Sequence, residues 1–231
     1  NGGFAYWPEN SYGVSDWGTN YAGHFMLEAQ AFGYQLPVGL LDPWVSYQTS
    51  QANNWQPKTN DYGSDLIQAY RLYTLALAKK PALSSMNRMR ETAGITEAAK
   101  WRLAATYVLA GKSDIAGQIV NGLGVKPTKS VNYWDTYGSP ERDDAMILET
   151  LVLLKRMSQA KPLVEDMANL LSSNQWLSTQ SAAYMLLSIS KYAGINSSGE
   201  NLTCDLTIDG VKVRVNSSKP IYQSQLNFNT G

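Results

Sequence analysis

Apolar positions recur along most of this chain with the spacing of a helix. Between residues 63 and 80, Leu66, Tyr70, Tyr73 and Leu77 follow one another at steps of four, three and four, which places them on one helical face. Trp101, Ala105 and Val108 share a face in the same way, as do Ile147, Leu151 and Leu154, and Leu163, Met167 and Leu170. Read through in this manner, the chain predicts nine helices, near 17–33, 37–53, 63–80, 82–93, 97–110, 113–122, 140–158, 161–173 and 178–193. Ser139-Pro140-Glu141 has the chemistry of a helix start, with a capping hydroxyl, a proline at the first helical position and an early carboxylate. Thr96-Glu97 is a similar start, and Gly33, Gly94, Gly111 and Gly194 each follow a helical run, where a left-handed closing residue is expected.

The helices are of two kinds. Segments 98–110, 145–154 and 182–189 are apolar nearly all round, the pattern of a helix buried on most sides. Segments 82–93 and 161–173 carry a narrower apolar stripe with charge opposite. Alternation of buried and half-exposed helices predicts two concentric layers, an α/α toroid in which each hairpin supplies one inner and one outer helix; a plain helical bundle is the alternative. A loose repeat agrees with the toroid: Trp17, Tyr62, Trp134 and Trp176 each precede a helix with an early small residue, Ala22, Ala69, Ala145 and Ala182. From about Glu200 the period changes to two. Leu206-Thr-Ile208 and Val211-Lys-Val-Arg-Val215 flank Asp209-Gly210, a hairpin signal, and Ile221 to Phe228 predicts a further strand. The expected domains are therefore a toroid over 1–195 and, over 196–231, the first strands of a following β domain.

Composition narrows the functions. With 19 basic and 19 acidic residues the formal charge is zero, which argues against a nucleic-acid face or a polybasic membrane anchor. No stretch is long and apolar enough for a transmembrane helix, and no signal peptide is visible. The chain opens on Asn1-Gly2-Gly3 without a methionine and is expected to be cut from something longer. One cysteine, Cys204, and one histidine, His24, leave no intrachain disulfide and little for a metal centre or a Cys/His nucleophilic pair. Cys204 reads as a small buried hydrophobe, and the Asn-x-Ser/Thr triplets at Asn196, Asn201 and Asn216 are chance-level matches in an Asn/Ser-rich stretch. The aromatics are unusual, with 7 Trp and 14 Tyr against 4 Phe, which suits rims and contact surfaces.

Candidate chemistry is sparse. Asp143-Asp144 opens a buried helix, where two carboxylates could serve acid–base work or simply complement the helix dipole. Asp16, Glu28, Asp61 and Asp65 could project into a central cleft as in toroid glycosidases, or could be caps and solvated loop charges. His24 lies four residues before Glu28 on a helix, within reach of a hydrogen bond, and reads as a packed, satisfied histidine.

Several stretches, in order, resemble the bacterial α2-macroglobulin family: Gly2-Gly-Phe-Ala-Tyr-Trp-Pro8, Asp16-Trp-Gly-Thr-Asn-Tyr-Ala-Gly-His-Phe-Met-Leu-Glu-Ala29, Gly33-Tyr-Gln-Leu-Pro37, Ala69-Tyr-Arg-Leu-Tyr-Thr-Leu-Ala76, Met86-Asn-Arg-Met-Arg-Glu91, Ala98-Ala-Lys-Trp-Arg-Leu-Ala-Ala105, Tyr137-Gly-Ser-Pro-Glu-Arg-Asp-Asp-Ala-Met-Ile-Leu148 and Trp176-Leu-Ser-Thr-Gln-Ser-Ala182. The resemblance implies a thioester domain, a toroid of six hairpins here reduced to about nine helices, followed by strands of a β-sandwich domain. It implies part of an exported protease-trapping inhibitor, periplasmic or in the cell envelope, with an upstream lipid anchor left open, and not an enzyme. The family's Cys-x-Glu-Gln thioester motif is absent from this sequence, so the thioester either lies upstream or is missing altogether. Partners would be target proteases and adjacent β-sandwich domains of the same polypeptide, with no nucleic acid, metal or cofactor. Trp7, Tyr12, Trp17 and His24 would lie near the rim on the thioester side. The rival functions are a toroid enzyme acting on glycans; a terpenoid cyclase, of whose Asp-x-Asp-Asp acid Glu141-Arg-Asp-Asp144 is a partial match; and a scaffold whose aromatic loops bind protein.

Overall fold

The computed structural model describes residues 2–7, 13–57, 63–126, 133–196, 202–208 and 210–217. Among these, nine α-helices follow one another: α1 (Asp16–Ala31), α2 (Leu41–Asn54), α3 (Ser64–Leu77), α4 (Leu83–Glu91), α5 (Glu97–Leu109), α6 (Ser113–Ile119), α7 (Pro140–Leu153), α8 (Met157–Leu171) and α9 (Thr179–Asn196). A 3-10 turn, Trp134–Thr136, precedes α7. The predicted capping chemistry is present. Thr96 and Ser139 accept backbone hydrogen bonds from Ala99 and Arg142, and Pro140 opens α7. Ser15, which was not among the expected caps, accepts from Gly18 at the start of α1.

The helix ends differ from expectation where a residue other than glycine closes them. The helix expected over 140–158 stops at Leu153 because Lys155 turns left-handed, at φ 58°. The Arg156 amide then reaches back to Leu151 O at 2.9 Å and the Lys155 amide to Val152 O at 3.0 Å, satisfying two carbonyls that a helix end would otherwise orphan. Lys79, at φ 61°, closes α3 in the same way, with Lys80 bonded to Leu75 O. The next helix starts at Met157 rather than 161, which places Pro162 inside α8. Gly33, Gly94 and Gly111 have the predicted positive φ, but Gly194 lies within α9, which runs on to Asn196. α2 begins at Leu41 rather than 37.

Odd and even helices form separate layers. The pairs α1–α3, α3–α5, α5–α7 and α7–α9 pack side by side in a curved inner row. Outside it, α2 rests on α3, α4 on α3 and α5, α6 on α5, and α8 on α7 and α9. Burial follows the layers: ten residues of α3 are buried, from Leu66 to Ala76, whereas α4 buries only Ser85, Met86 and Met89. This is the inner-and-outer arrangement of an α/α ring. Small residues let the layers approach. A Cβ on Gly23 of α1 would sit 2.0 Å from the Trp44 ring of α2, so only glycine fits there.

The inner row is least buried at its ends. Phe25 of α1 is 72% exposed and Leu186 of α9 is 58% exposed. Segment 182–189 is therefore not buried on most sides as its composition suggests, because in the inner row α9 packs closely on α7 and meets α1 only through long side chains. A groove runs between α1 and α9, lined by Tyr21, Phe25, Ala183, Tyr184 and Leu187, with His24 and Glu28 at its floor.

The tail forms the predicted hairpin, with β1 (Leu202–Ile208) antiparallel to β2 (Val211–Ser217) and Ile208 facing Val211 across a two-residue link. Cys204 is only half-buried. The strand expected over 221–228 lies outside the described residues, as do Tyr12 and Asp61.

Candidate functional site

The inner face of the ring is charged. Five inner helices send Glu28 (α1), Tyr73 (α3), Arg102 (α5), Glu149 (α7) and Lys191 (α9) to one place. Lys191 Nζ donates to Glu28 Oε1 at 2.5 Å and to Glu149 Oε1 at 2.6 Å. Arg102 donates to Glu149 Oε2 at 2.6 Å, and the Tyr73 hydroxyl donates to Oε1 at 2.7 Å. His24 bridges to α3 and along its own helix, with Nδ1 at 3.0 Å from the Tyr70 hydroxyl and Nε2 at 3.2 Å from Glu28 Oε1. A neutral ring protonated at Nε2 satisfies both contacts, donating to the carboxylate and accepting from the phenol.

Each position follows from its helix. His24 and Glu28 are one turn apart and stack on one face of α1. Arg102 and Glu149 lie mid-helix on inner helices with neighbours on both flanks, where an ion survives only if it is paired. Arg102 also lies over the Tyr73 ring at 4.2 Å from the centroid and near Tyr70 at 5.6 Å. Its Nε and Nη2 have no hydrogen-bond acceptor among the described residues, so the aromatic faces take up part of that charge.

The electrostatics are those of a closed ionic cluster. Burial pushes Glu149 up, but Lys191 and Arg102 outweigh it and hold the carboxyl well below the usual range. Burial likewise opposes ionisation of Glu28, and the His24 hydrogen bond and Lys191 pull it down on balance. Burial would lower Lys191, yet Glu149, Tyr73 and Glu28 raise it instead. His24 is depressed by burial, only partly offset by its bond to Glu28. At neutral pH the cluster thus holds two anions, two cations and a neutral imidazole.

Its chemical capacity is limited by that balance. Ligand atoms of His24, Glu28 and Glu149 lie within 4.8 Å of one another, a spacing that can hold a metal ion. The Lys191 ammonium already bridges the two carboxylates, so a metal would have to displace it. The same spacing is close to that of a retaining glycosidase pair, but such a pair needs one carboxyl raised so that it keeps its proton. Here both are lowered. The other expected cleft carboxylates among the described residues are engaged as well: Asp16 with Arg71 at 2.7 Å, and Asp65 with the backbone amides of Leu66 and Thr96.

Two further buried arginines tie helices together. Arg71 binds Asp16, Gln48 and Gln68. Arg142 binds Asp143 through Nε at 2.7 Å, the Thr136 carbonyl and hydroxyl, and Gln180 of α9 at 3.0 Å, and it stacks on Trp17 at 4.6 Å. Asp143 is therefore a buried ion-pair partner. Asp144, half-buried beside it, is pushed up to about 6 by burial, with Asp143, Glu141 and Asp166 adding to the rise against Lys126.

Of the rim residues expected from the sequence, Trp7 is exposed on the loop before α1, whereas Trp17 and His24 are buried in the inner layer. Sequence reasoning found the His24–Glu28 pair, which one helix encodes. It missed Arg102, Glu149 and Lys191, for which the available signal was a charge inside otherwise apolar inner helices.

The fold defines a class, the α/α rings. No protein-family model and no curated protein sequence matches the chain. Solved structures do. Native α2-macroglobulin from Escherichia coli, in a form spanning domain MG7 to the C-terminus, is similar with a TM-score of 0.72 and 20% identity, over 95% of this chain and 35% of that one. Salmonella α2-macroglobulin reacted with methylamine gives 0.74 at 20% identity over 94% of this chain and 14% of that one. The E. coli protein activated by porcine elastase gives 0.67 at 19% identity over 94% of this chain and 20% of that one. The chain thus has the fold of one region of the bacterial α2-macroglobulins and spans a minor part of their length.

Proposed function

We propose that this chain is the helical ring of a bacterial α2-macroglobulin-like protease trap, working as a structural wall and not as a turnover catalyst. The observation that supports this most is that 94–95% of the chain follows the fold of α2-macroglobulins in native, methylamine-reacted and protease-activated forms. In this reading the ring shields or presents a reactive acyl group carried upstream, or is a ring that has none. Adjacent β-sandwich domains, export to the cell envelope and protease targets belong to the same proposal. The ionic cluster suits such a role: its carboxylates are held ionised by internal cations, which ties the inner helices together and leaves no protonated carboxyl to act as a general acid.

The test is to incubate the complete polypeptide that contains this ring with trypsin and with elastase. The expected outcome is a protease that still cleaves a small peptide substrate but no longer digests casein. A conjugate stable in denaturant that methylamine pretreatment prevents would add the thioester. A protease that digests casein unhindered in the presence of the intact polypeptide would end the proposal.

A further inference from the structure

Helices α4 and α6 both rest on α5, and a hollow of about 510 Å³ lies between them. Its size falls in the range, about 300–1,000 Å³, in which small-molecule sites are found. Much of its lining is aliphatic. Leu103 of α5 is fully buried, and Ile115 and Ile119 of α6, one turn apart, stand half-buried beside the hollow with Leu123. The Trp101 indole donates to the Gly124 carbonyl at 3.1 Å, which ties the chain after α6 to α5 and holds the wall that carries Leu123.

The charges at the hollow have one sign. Arg90 comes from the end of α4 and Lys100 from the first turns of α5, and no carboxylate among the described residues lines the hollow with them. In a chain whose formal charge is zero this is a local excess. It is not neutralised from within. Lys100 is half-buried, yet its ammonium makes no ion pair among the described residues. Arg90 faces the exposed Glu91 carboxylate at 3.7 Å, a long surface pair that adds little and yields readily to a better anion. Its guanidinium also stands 6.0 Å from the centre of the Tyr107 ring, near the limit of a cation–π contact.

This combination selects a class of ligand. The cations come from the α4–α5 side, and the isoleucines face them from α6. An apolar body with one anionic head satisfies both walls at once. A carboxylate meets arginine through a planar two-bond fork and lysine through a point charge. A neutral hydrocarbon would leave the cations unused, and a cationic amphiphile would be repelled by them.

We propose that this hollow binds small aliphatic carboxylates, with the head on Arg90 and Lys100 and the tail against Leu103, Ile115, Ile119 and Leu123. The inference does not depend on the protease-trap reading, since it concerns a hollow of the ring itself.

The test titrates the full chain calorimetrically with decanoate, below its micellar concentration. Decyltrimethylammonium and a short peptide ending in a free leucine carboxylate are the comparison probes. A diazirine-bearing decanoate, activated by light and mapped by mass spectrometry, locates the site. Decanoate should bind, label residues within 90–123, and bind more weakly as salt rises. Arg90→Gln/Lys100→Gln should weaken it about tenfold, as loss of two charge-assisted contacts implies. Ile119→Ala should weaken it about threefold through lost apolar contact. Phe25→Ala, in the α1–α9 groove, should bind as the parent does. The glutamine variants keep most of each side-chain stem, and unchanged circular dichroism confirms the folds. Undiminished binding by the glutamine variant overturns the proposal. So do equal uptake of decyltrimethylammonium, labelling confined to residues 21–28 and 183–187, or decanoate ignored, whether or not the peptide binds.

Discussion

The middle of the inner row and its two ends are held together by different physics. Between α3, α5 and α7 the helices meet through small and large apolar side chains, Ala69, Ala99, Ala104, Ala105 and Ala145 among Leu72, Leu75, Leu103 and Leu148, all fully or almost fully buried. Between α1 and α9 the joint is side-chain and partly ionic: Lys191 on Glu28, and Tyr21 against Tyr184 at 5.8 Å between centroids. The apolar contacts of the middle are strong and indifferent to pH, and the ionic link among them, Arg102 on Glu149, is fully enclosed. The α1–α9 joint is weaker, partly wet and sensitive to charge. A ring built this way has a firm back and a seam that conditions can loosen.

The largest effect is expected at the one group that serves both regions. Glu149→Gln leaves the fully buried Arg102 without its anion and weakens the hold on Lys191, and should cost about 3–5 kcal/mol in urea unfolding. A loss under 1 kcal/mol would mean that the aromatic faces of Tyr73 and Tyr70 suffice for Arg102.

Next comes the contact behind the seam. Gly23→Ala drives a methyl into the Trp44 ring and should destabilise by about 1–3 kcal/mol. Near-UV circular dichroism would report the displaced indole.

The seam itself should yield less. Lys191→Met should cost about 1–2 kcal/mol, because Glu149 keeps Arg102 and Glu28 is partly solvated. Hydrogen exchange should rise in α1 and α9 before α3 and α5; uniform exchange along the inner row would mean that the seam is as firm as the back.

Acid should find the same weak place. His24, Glu28 and Glu149 all have folded pKa values below their ordinary ones. The unfolded chain then binds the extra protons, so their stabilisation is present above the ordinary pKa and lost as pH falls through the depressed one. The His24 part should begin to fade below about pH 6.5 and the carboxylate part below about pH 4.5. Asp144 runs the other way. Raised from 3.8 to about 6, it favours the fold below pH 4 and loses that contribution as pH rises to about 6. Asp144→Asn should abolish that opposing slope in thermal melts between those limits.

The smallest change lies at an exposed helix end, outside the packed contacts of either region. Lys155→Gly relieves a left-handed non-glycine residue at the end of α7 and should stabilise by about 0.5–1 kcal/mol, read as a higher Tm.

Much of the architecture was legible in the chain. Thr96 and Ser139 cap helices because a hydroxyl beside orphan amides needs only local geometry. Asp209-Gly210 marked the hairpin for the same reason, and Ile208 faces Val211 across that link. The two lysine-closed ends, at Lys79 and Lys155, were not legible. Lysine has no intrinsic preference for the left-handed region, and only the packing of the next helix makes it pay that strain.

The candidate site divides along the same line. His24 and Glu28 share a helical face, so four residues of spacing sufficed to pair them. Arg102, Glu149 and Lys191 stand on three different helices, and no spacing in the chain relates them. Periodicity and capping determined which segments are helices and which face each turns inward, since both act within a few residues. Which charges meet on the inside, and which rings touch across the seam, was decided by how the helices stack, because an ion pair or a ring contact depends on distance in space and not on separation along the chain.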